Sequence, residues 1–198
     1  MFTGIIREIG TVSAMAASKG ITRLTIDAPA TAACVGLGES VAVDGVCLSV
    51  VRAGRGAMTF ELVPETARCT TLGRLRPGAR VNLEPSLTLS DRLNGHLVLG
   101  HVDGTARIAR LQRRAEHVAM ELMIPPALGR YLVPKGPVAV NGVSLTVGRW
   151  QPPSRGVLYL IPETLRRTTL GARRVGEPVN LEVDYVAKLM AGRRARRQ

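Results

Sequence analysis

The chain has 198 residues, of which 45% are hydrophobic but only 3% aromatic, and its formal net charge is +12 at pH 7. A core with so few aromatic side chains must be built from Val, Leu, Ile and Ala, which favours compact β structure. Part of the charge comes from the last six residues, which include Arg193, Arg194, Arg196 and Arg197. No nucleic-acid recognition motif accompanies them, so we expect a solvated, disordered tail and no nucleic-acid interface.

The cysteines and the apolar segments exclude several other classes. Cys34, Cys47 and Cys69 all lie in the first half and include no close pair, which argues against a disulfide framework and against a metal site. No segment has the pattern of a signal peptide, and none approaches the roughly 18 apolar residues of a membrane span. We expect a soluble, cytoplasmic protein.

Short, Val-rich segments separated by Gly or Pro predict β-strands in the first half. Asp44-Gly45 divides two alternating segments and is typical of a two-residue hairpin turn, because both positions tolerate positive φ angles. Pro64-Glu65-Thr66 indicates the start of a short helix, which Gly73 is expected to end. The predicted strands cover residues 21–26, 41–50, 58–63 and 80–83.

The second half repeats the first. Asn141-Gly142 replaces the hairpin turn, and Val179-Asn180-Leu181-Glu182 matches Val81-Asn82-Leu83-Glu84. A second helix is expected from Pro162, with Gly171 as its stop. The spacing is that of a whole small domain, since solenoid repeats run at roughly 20 to 50 residues. Further strands are predicted at residues 104–109, 118–124, 138–147, 157–161 and 178–183.

The duplication predicts an all-β chain of two tandem, similar antiparallel domains. We expect the first to cover residues 1–95 and the second residues 96–184. Residues 185–198 then form a short carboxy-terminal helix, with helical spacing up to Met190, and the Arg-rich tail.

Each hairpin carries a small polar row on the strand that follows its turn. Cys47 and Ser49 alternate with valines and leucine in the first copy, and Ser144 and Thr146 do so in the second. Alternate side chains of a strand point to opposite faces. The two rows are therefore equivalent outer walls, either as ordinary solvent-facing surface or as the linings of two pockets.

Two histidines, His96 and His101, flank an apolar segment at the junction of the repeats. They are either structural groups or donors and proton carriers near neutral pH. Asp184 directly follows the last predicted strand, where it either ends the element or hydrogen-bonds to Ser144.

These motifs in this order resemble riboflavin synthase. The resemblance is carried by the opening Met1-Phe2-Thr3-Gly4-Ile5-Ile6, the repeated hairpins, the two Glu-Thr-x-Arg-x-Thr-x-Leu-Gly segments and the junction from Gly95 to Asp103, and it covers nearly the whole chain. It implies two six-stranded antiparallel Greek-key β-barrels and a carboxy-terminal helix that holds a homotrimer together.

The resemblance also implies the chemistry. One molecule of 6,7-dimethyl-8-ribityllumazine gives a four-carbon unit to another, yielding riboflavin and 5-amino-6-ribitylamino-uracil, with no cofactor and no metal. Proton handling and positioning are then the protein's main contributions. Either barrel can hold the donor, and the two pockets can meet within one subunit or between subunits. A non-catalytic lumazine- or flavin-binding antenna protein is the alternative.

Carried over by position, the resemblance assigns catalytic roles to Cys47, His101, Ser144 and Asp184. Ser144 is expected to polarise water or a hydroxyl with the help of Asp184. Cys47 acts either as a nucleophile or as a contact, depending on its thiolate fraction. The implied substrate contacts are Phe2, Thr3, Gly4, Ile5, Ser40, Ser49, Val63, Asn82, His96, Gly100, Lys135, Thr146 and Ile161.

Overall fold

The computed structural model describes residues 1–18 and 20–195, and its strands form two closed six-stranded antiparallel barrels. The all-β prediction is confirmed. The first barrel contains β1 (Glu8–Ser18), β2 (Ile21–Asp27), β3 (Ser40–Val43), β4 (Val46–Gly54), β5 (Ala57–Leu62) and β6 (Arg80–Pro85). The second contains β7 (Gly104–Arg113), β8 (Val118–Met123), β9 (Pro137–Val140), β10 (Val143–Gln151), β11 (Arg155–Leu160) and β12 (Pro178–Val183).

Both barrels close with the same Greek-key strand order. In the first, the order is β1-β2-β5-β4-β3-β6, and the second follows the corresponding order through β7-β8-β11-β10-β9-β12. Each interior is filled almost entirely by aliphatic side chains, with Phe60 the one aromatic residue of the first core cluster. The fold thus follows from the aliphatic composition and from the period-two pattern of the strands.

The two predicted hairpin turns are confirmed, and they pack against each other. The φ angles are 43° at Asp44, 82° at Gly45, 45° at Asn141 and 75° at Gly142, as a two-residue turn of the mirror-image type requires. A Cβ atom added to Gly45 would lie 2.6 Å from the backbone nitrogen of Gly142. The glycines therefore serve the contact between the barrels as well as the turns.

Short helices follow β5 and β11, as predicted, but the predicted stops are wrong. These helices, α2 (Pro64–Cys69) and α4 (Pro162–Arg167), end before an extended threonine whose side chain accepts a hydrogen bond from the next turn, a 3-10 helix at Thr71–Arg74 or Thr169–Ala172. Gly73 lies inside the first of these turns. A Cβ atom there would come within 2.2 Å of the Ala67 carbonyl oxygen, so close packing requires the glycine.

The remaining helices were not fully anticipated. Each barrel contains one more short helix, α1 (Pro29–Ala32) or α3 (Pro126–Gly129), that the sequence did not predict. The carboxy-terminal helix α5 (Tyr185–Ala195) extends beyond the predicted end at Met190. Arg193 and Arg194 therefore lie in a helix and not in a disordered tail, while Arg196 and Arg197 fall outside the described residues. Of the helices described here, none is long and apolar enough to cross a membrane.

A buried polar network joins the barrels. The Asn82 side chain donates from Nδ2 to the Asn141 carbonyl oxygen at 2.9 Å, and its Oδ1 accepts from the Thr169 backbone N–H at 2.7 Å. Both partners belong to the second barrel. The backbone N–H of Asn82 in turn donates to Asp44 Oδ1 at 2.8 Å, which ties the first hairpin turn to β6.

Asn180 of the second barrel makes the equivalent hydrogen bonds to the first barrel. Asn180 donates from Nδ2 to the Asp44 carbonyl oxygen at 2.8 Å, and its Oδ1 accepts from the Thr71 N–H at 2.7 Å. Its own N–H donates to Asn141 Oδ1 at 2.7 Å. Because a buried amide left without hydrogen bonds is costly, the reciprocal bonds of Asn82 and Asn180 fix how one barrel docks on the other.

One pair of positions breaks the symmetry of this network. Asp44 is fully buried, and its Oδ2 lies 3.4 Å from Arg173 Nη2, whereas the second copy has the neutral Asn141, and Leu75 stands where Arg173 stands in the other copy. Burial raises the pKa of Asp44 to about 6, while Arg173 and the Asn82 N–H lower it in part. The folded protein therefore binds the proton of the Asp44 carboxyl group more tightly than the unfolded chain does.

We expect the double substitution Asp44→Asn with Arg173→Leu, which copies the second repeat, to change how stability depends on pH. In the parent chain, ionisation of Asp44 lowers the free energy of unfolding as the pH rises from about 4 to about 6, by about 3 kcal/mol. The double variant should lack this loss, so its stability relative to the parent should increase across that range in urea unfolding. Asp27→Asn, at the exposed end of β2, serves as control. Parallel pH profiles for the parent and the double variant would contradict this assignment.

Candidate active site

The outer faces of β4 and β10 form two equivalent walls. Val46, Leu48 and Val50 point into the first barrel, while Cys47 is half-buried and Ser49 exposed on the other face. In the second barrel, Ser144 is half-buried and Thr146 exposed in the same way. The predicted alternation of the two strands is confirmed.

Each wall is completed by chain that leads into the opposite barrel. The segment that precedes β1 lies against the second barrel, where the Ser144 N–H donates to the Gly4 carbonyl oxygen at 2.8 Å. The segment that precedes β7 lies against the first barrel, where the Cys47 N–H donates to the Gly100 carbonyl oxygen at 2.9 Å. Neither wall therefore belongs to one repeat alone.

The two crossing segments meet at the centre of the molecule. Phe2 and Val98 exchange backbone hydrogen bonds of 2.8 and 3.1 Å. Together with Ala42 and Ala139 they form a separate, almost completely buried cluster against which Cys47 packs. Phe2 has no exposed surface, so it supports the walls from beneath.

A cavity of about 420 Å³ opens beside Ser144, within the usual range for small-molecule sites. Several of its lining residues were not predicted as contacts: Ile6, Arg7, Val143, Glu163, Thr164, Arg167 and Thr168. The sequence did carry a signal for part of this set, because Pro-Glu-Thr is preserved as a polar block in both repeats. The predicted contacts Gly4, Ile5 and Ile161 also line this cavity.

Ser144 is hydrogen-bonded to a histidine of the junction. The distance between Ser144 Oγ and His96 Nδ1 is 2.7 Å. Burial lowers the pKa of His96, and the negative charge of Asp184 raises it in part, so the imidazole is neutral at pH 7. A neutral imidazole can exchange a proton with the serine hydroxyl.

Asp184 influences this pair through its charge. Its Oδ1 accepts a hydrogen bond of 3.2 Å from the Val186 N–H at the start of α5, and among the hydrogen bonds of the described residues none joins it to Ser144. Of the two roles considered for Asp184, the structure therefore shows the first: the residue directly follows the end of β12 and does not hydrogen-bond to Ser144. His96 takes the position beside the serine.

The Cys47 wall differs in its chemistry. His101 follows Gly100 and is exposed, whereas Ile5 holds the matching position after Gly4 at the Ser144 wall. Val63 and Ile161 are exposed at equivalent positions, ahead of α2 and α4. One scaffold thus presents a half-buried thiol on one side, with the exposed His101 next in the chain to its backbone partner Gly100, and a serine bonded to a half-buried histidine on the other.

The comparison with known proteins agrees with this duplicated arrangement. The family model for the lumazine binding domain matches residues 3–86 and again residues 99–184. Riboflavin synthase of Mycobacterium tuberculosis (strain CDC 1551 / Oshkosh) is 44% identical over 191 residues, which cover 95% of both chains. That of Bacillus subtilis (strain 168) is 39% identical, covering 96% of this chain and 88% of the relative. The chain belongs to the riboflavin synthase family.

Solved structures share the family's fold at lower identity. LumP complexed with riboflavin superimposes with a TM-score of 0.86 at 23% identity, covering 93% of this chain and all of that one. LumP complexed with 6,7-dimethyl-8-(1'-D-ribityl) lumazine superimposes with a TM-score of 0.83 at 24% identity. At this identity the similarity shows only that the fold of the two barrels is shared.

The other contacts implied by the riboflavin synthase resemblance fall at different depths. Ser40 is half-buried on β3, directly opposite Ser49 in the register of the two strands. Lys135 is exposed in the loop before β9, where its N–H donates to the Val147 carbonyl oxygen at 2.7 Å. Thr3 is buried, with its side chain turned toward β6.

Asn82 corrects one expectation. It was expected to contact the substrate, but its side chain is fully buried and both ends of its amide are bonded to the second barrel. The asparagine of the repeated Val-Asn-Leu-Glu block docks the barrels in both copies, a role that a single strand pattern does not reveal.

We expect Asp184→Asn to lower the pKa of His96 further. The substitution removes the negative charge that favours the imidazolium ion, while the burial that disfavours it remains. Proton-resonance titration of the His96 ring measures the change, with Glu61→Gln on the surface of β5 as a control for loss of a distant carboxylate. An unchanged His96 titration would show that Asp184 does not act on this ring.

Proposed function

We propose that this chain catalyses the dismutation of two molecules of 6,7-dimethyl-8-ribityllumazine into riboflavin and 5-amino-6-ribitylamino-uracil. Membership of the riboflavin synthase family makes it an enzyme of the transferase class. The observation that supports this particular reaction best is the pair of equivalent walls, one at Cys47 and one at Ser144. A reaction between two identical molecules calls for two similar sites.

The proposed mechanism rests on proton transfer and positioning. The acidic C7 methyl group of one molecule, the acceptor, loses a proton and forms a C–C bond to the four-carbon unit of the other molecule, the donor. The two C–N bonds that hold this unit in the donor break, and the uracil product released takes up the protons that the acceptor's methyl groups lose. The four-carbon unit passes from one substrate molecule to the other, so the reaction needs no external oxidant or reductant. Holding both molecules in a reactive arrangement replaces a slow encounter in solution.

The two walls supply different groups to this chemistry. At the second wall, the neutral His96 takes up or returns a proton through Ser144, and Asp184 stabilises the imidazolium ion that forms. At the first wall, His101 acts as a second proton carrier and Cys47 contacts the substrate or attacks it. In this proposal, both pockets contribute general acid–base catalysis, through His96 at one wall and His101 at the other.

A cytoplasmic homotrimer forms part of the same proposal. The support is the apolar surface that α5 leaves uncovered in the single chain, which includes Tyr185, Val186, Leu189 and Met190. A face of this kind is typical of an interface between subunits. Residues 1–95 and 96–184 are proposed as its two lumazine-binding domains.

The purified protein should make riboflavin and the uracil product in equal amounts from 6,7-dimethyl-8-ribityllumazine alone. The dismutation consumes two copies of one substrate, so this ratio follows from its atom balance. Absorbance of riboflavin and chromatographic quantification of the uracil measure it, with heat-denatured protein as the blank. Tight binding of the lumazine without product would favour the antenna alternative, since LumP holds such ligands on the same fold.

Two adjacent substitutions on β10 should separate catalysis from stability. Ser144→Ala should lower turnover roughly 100-fold or more, because it removes the hydroxyl bonded to His96, with little change in unfolding free energy. Leu145→Ala should instead cost roughly 2 to 5 kcal/mol through a cavity in the second core. Turnover assays and urea unfolding of both variants test this. Normal turnover by Ser144→Ala would remove the serine from the mechanism.

A further inference from the structure

Two buried carboxylates lie at matching places in the repeats, and the proposed mechanism uses neither. Glu84 on β6 and Glu182 on β12 have only 4% and 6% of their surface exposed. Neither takes part in an ion pair with the described residues. A buried charge without a cation is costly, so hydrogen bonds must compensate for the lost water.

The compensating bonds come from the two crossing segments. Glu84 Oε1 accepts from the Thr3 N–H and hydroxyl at 2.8 Å each, and its Oε2 accepts from the Gly4 N–H at 2.9 Å. Glu182 accepts from the Leu99 and Gly100 N–H groups at 2.7 and 3.0 Å. Each carboxylate thus accepts hydrogen bonds from two successive backbone N–H groups, one at each of its oxygens.

The same glycines also bond to the walls. The Gly4 N–H is held by Glu84 of the first barrel, while the Gly4 carbonyl accepts from Ser144 of the second. Likewise, Gly100 connects Glu182 of the second barrel to Cys47 of the first. Each carboxylate therefore acts on the wall of the opposite barrel through one glycine.

Gly4 and Gly100 pack so closely against the walls that the crossing segments have little room to move. Both have positive φ angles, 77° at Gly4 and 80° at Gly100. A Cβ atom would come within 2.6 Å of Ser144 in the first case and within 2.6 Å of Cys47 in the second. The backbone thus lies directly against the wall, and a small shift of either segment moves the surface that a ligand meets.

We propose that Glu84 and Glu182 are positioning residues, each fixing the backbone that completes the ligand wall of the opposite barrel. Glu84 serves the Ser144 wall and Glu182 serves the Cys47 wall. The ligand class rests on the proposed function, whereas the backbone role does not. Because the two carboxylates act on different walls, loss of one should affect one site only.

Glu84→Gln and Glu182→Gln test this proposal in the full chain. A glutamine keeps the shape but offers an NH₂ group to a backbone N–H, so one of the two anchoring bonds is lost. Amide hydrogen exchange should accelerate at Gly4 and Ser144 in the first variant only, and at Gly100 and Cys47 in the second only. Riboflavin titration, followed at the Ser144 and Cys47 amide resonances, should show roughly ten- to hundred-fold weaker binding at the affected wall alone.

Two further variants serve as controls. Glu61→Gln removes a surface carboxylate that pairs with Arg23 and should leave both walls unchanged. Thr3→Val removes the hydroxyl that donates to Glu84 Oε1 at 2.8 Å and accepts from the Ile5 N–H at 3.2 Å, but it keeps both backbone bonds to Glu84, so it should loosen the Ser144 wall by less than Glu84→Gln does. If Glu84→Gln does not fold, Glu182→Gln decides the question, because its effect should be confined to the Cys47 wall.

The proposal is overturned if the glutamine variants leave exchange and affinity within two-fold of the parent, or if each weakens both walls equally. The parent's turnover of the lumazine substrate is measured separately. A parent that binds riboflavin without turnover would contradict the proposed function and leave the positioning test intact. A parent that binds no riboflavin would still show, by amide exchange, whether each carboxylate acts on one wall.

Discussion

The structure depends on the reciprocal hydrogen bonds that two asparagines make between the barrels. Asn82 and Asn180 lie on the outward faces of equivalent strands, yet both are buried because each reaches into the other barrel. Leaving either amide unbonded in the interface would cost its full desolvation free energy. The barrels can therefore dock in one orientation only, with the tips of their hairpins in contact at Gly45 and Gly142.

Docking in this orientation explains why the walls are shared. The segment ahead of each barrel crosses to its neighbour, and Phe2 and Val98 meet where the crossings pass. Each wall is therefore built from both halves of the chain, because Ser144 and Cys47 take their backbone partners, Gly4 and Gly100, from outside their own barrel.

The copies have kept their scaffold and diverged in their chemistry. Cys47 corresponds to Ser144, His101 to Ile5, and the pair Asp44 and Arg173 to Asn141 and Leu75. All these differences lie at the interface or on the walls, while the aliphatic interiors remain alike. Equivalent backbone with different side chains suits two molecules that are identical at the start of a reaction but have opposite roles in it.

Much of this architecture was determined by the sequence alone. Alternating valines, Asp-Gly and Asn-Gly turns and the repeated blocks specify strands, hairpins and duplicated barrels, because these patterns act over a few residues. The positions of Cys47 and Ser144 on outward faces followed from the same periodicity. Only the tertiary structure decided that Asn82 docks the barrels, that His96 bonds to Ser144, and that Gly73 packs against Ala67 without ending a helix. The contacts of Asn82 and His96 join residues far apart in the sequence, so they form only when the complete barrels dock. The contact between Gly73 and Ala67 depends on how α2 packs against the 3-10 turn that follows it, which strand periodicity does not describe.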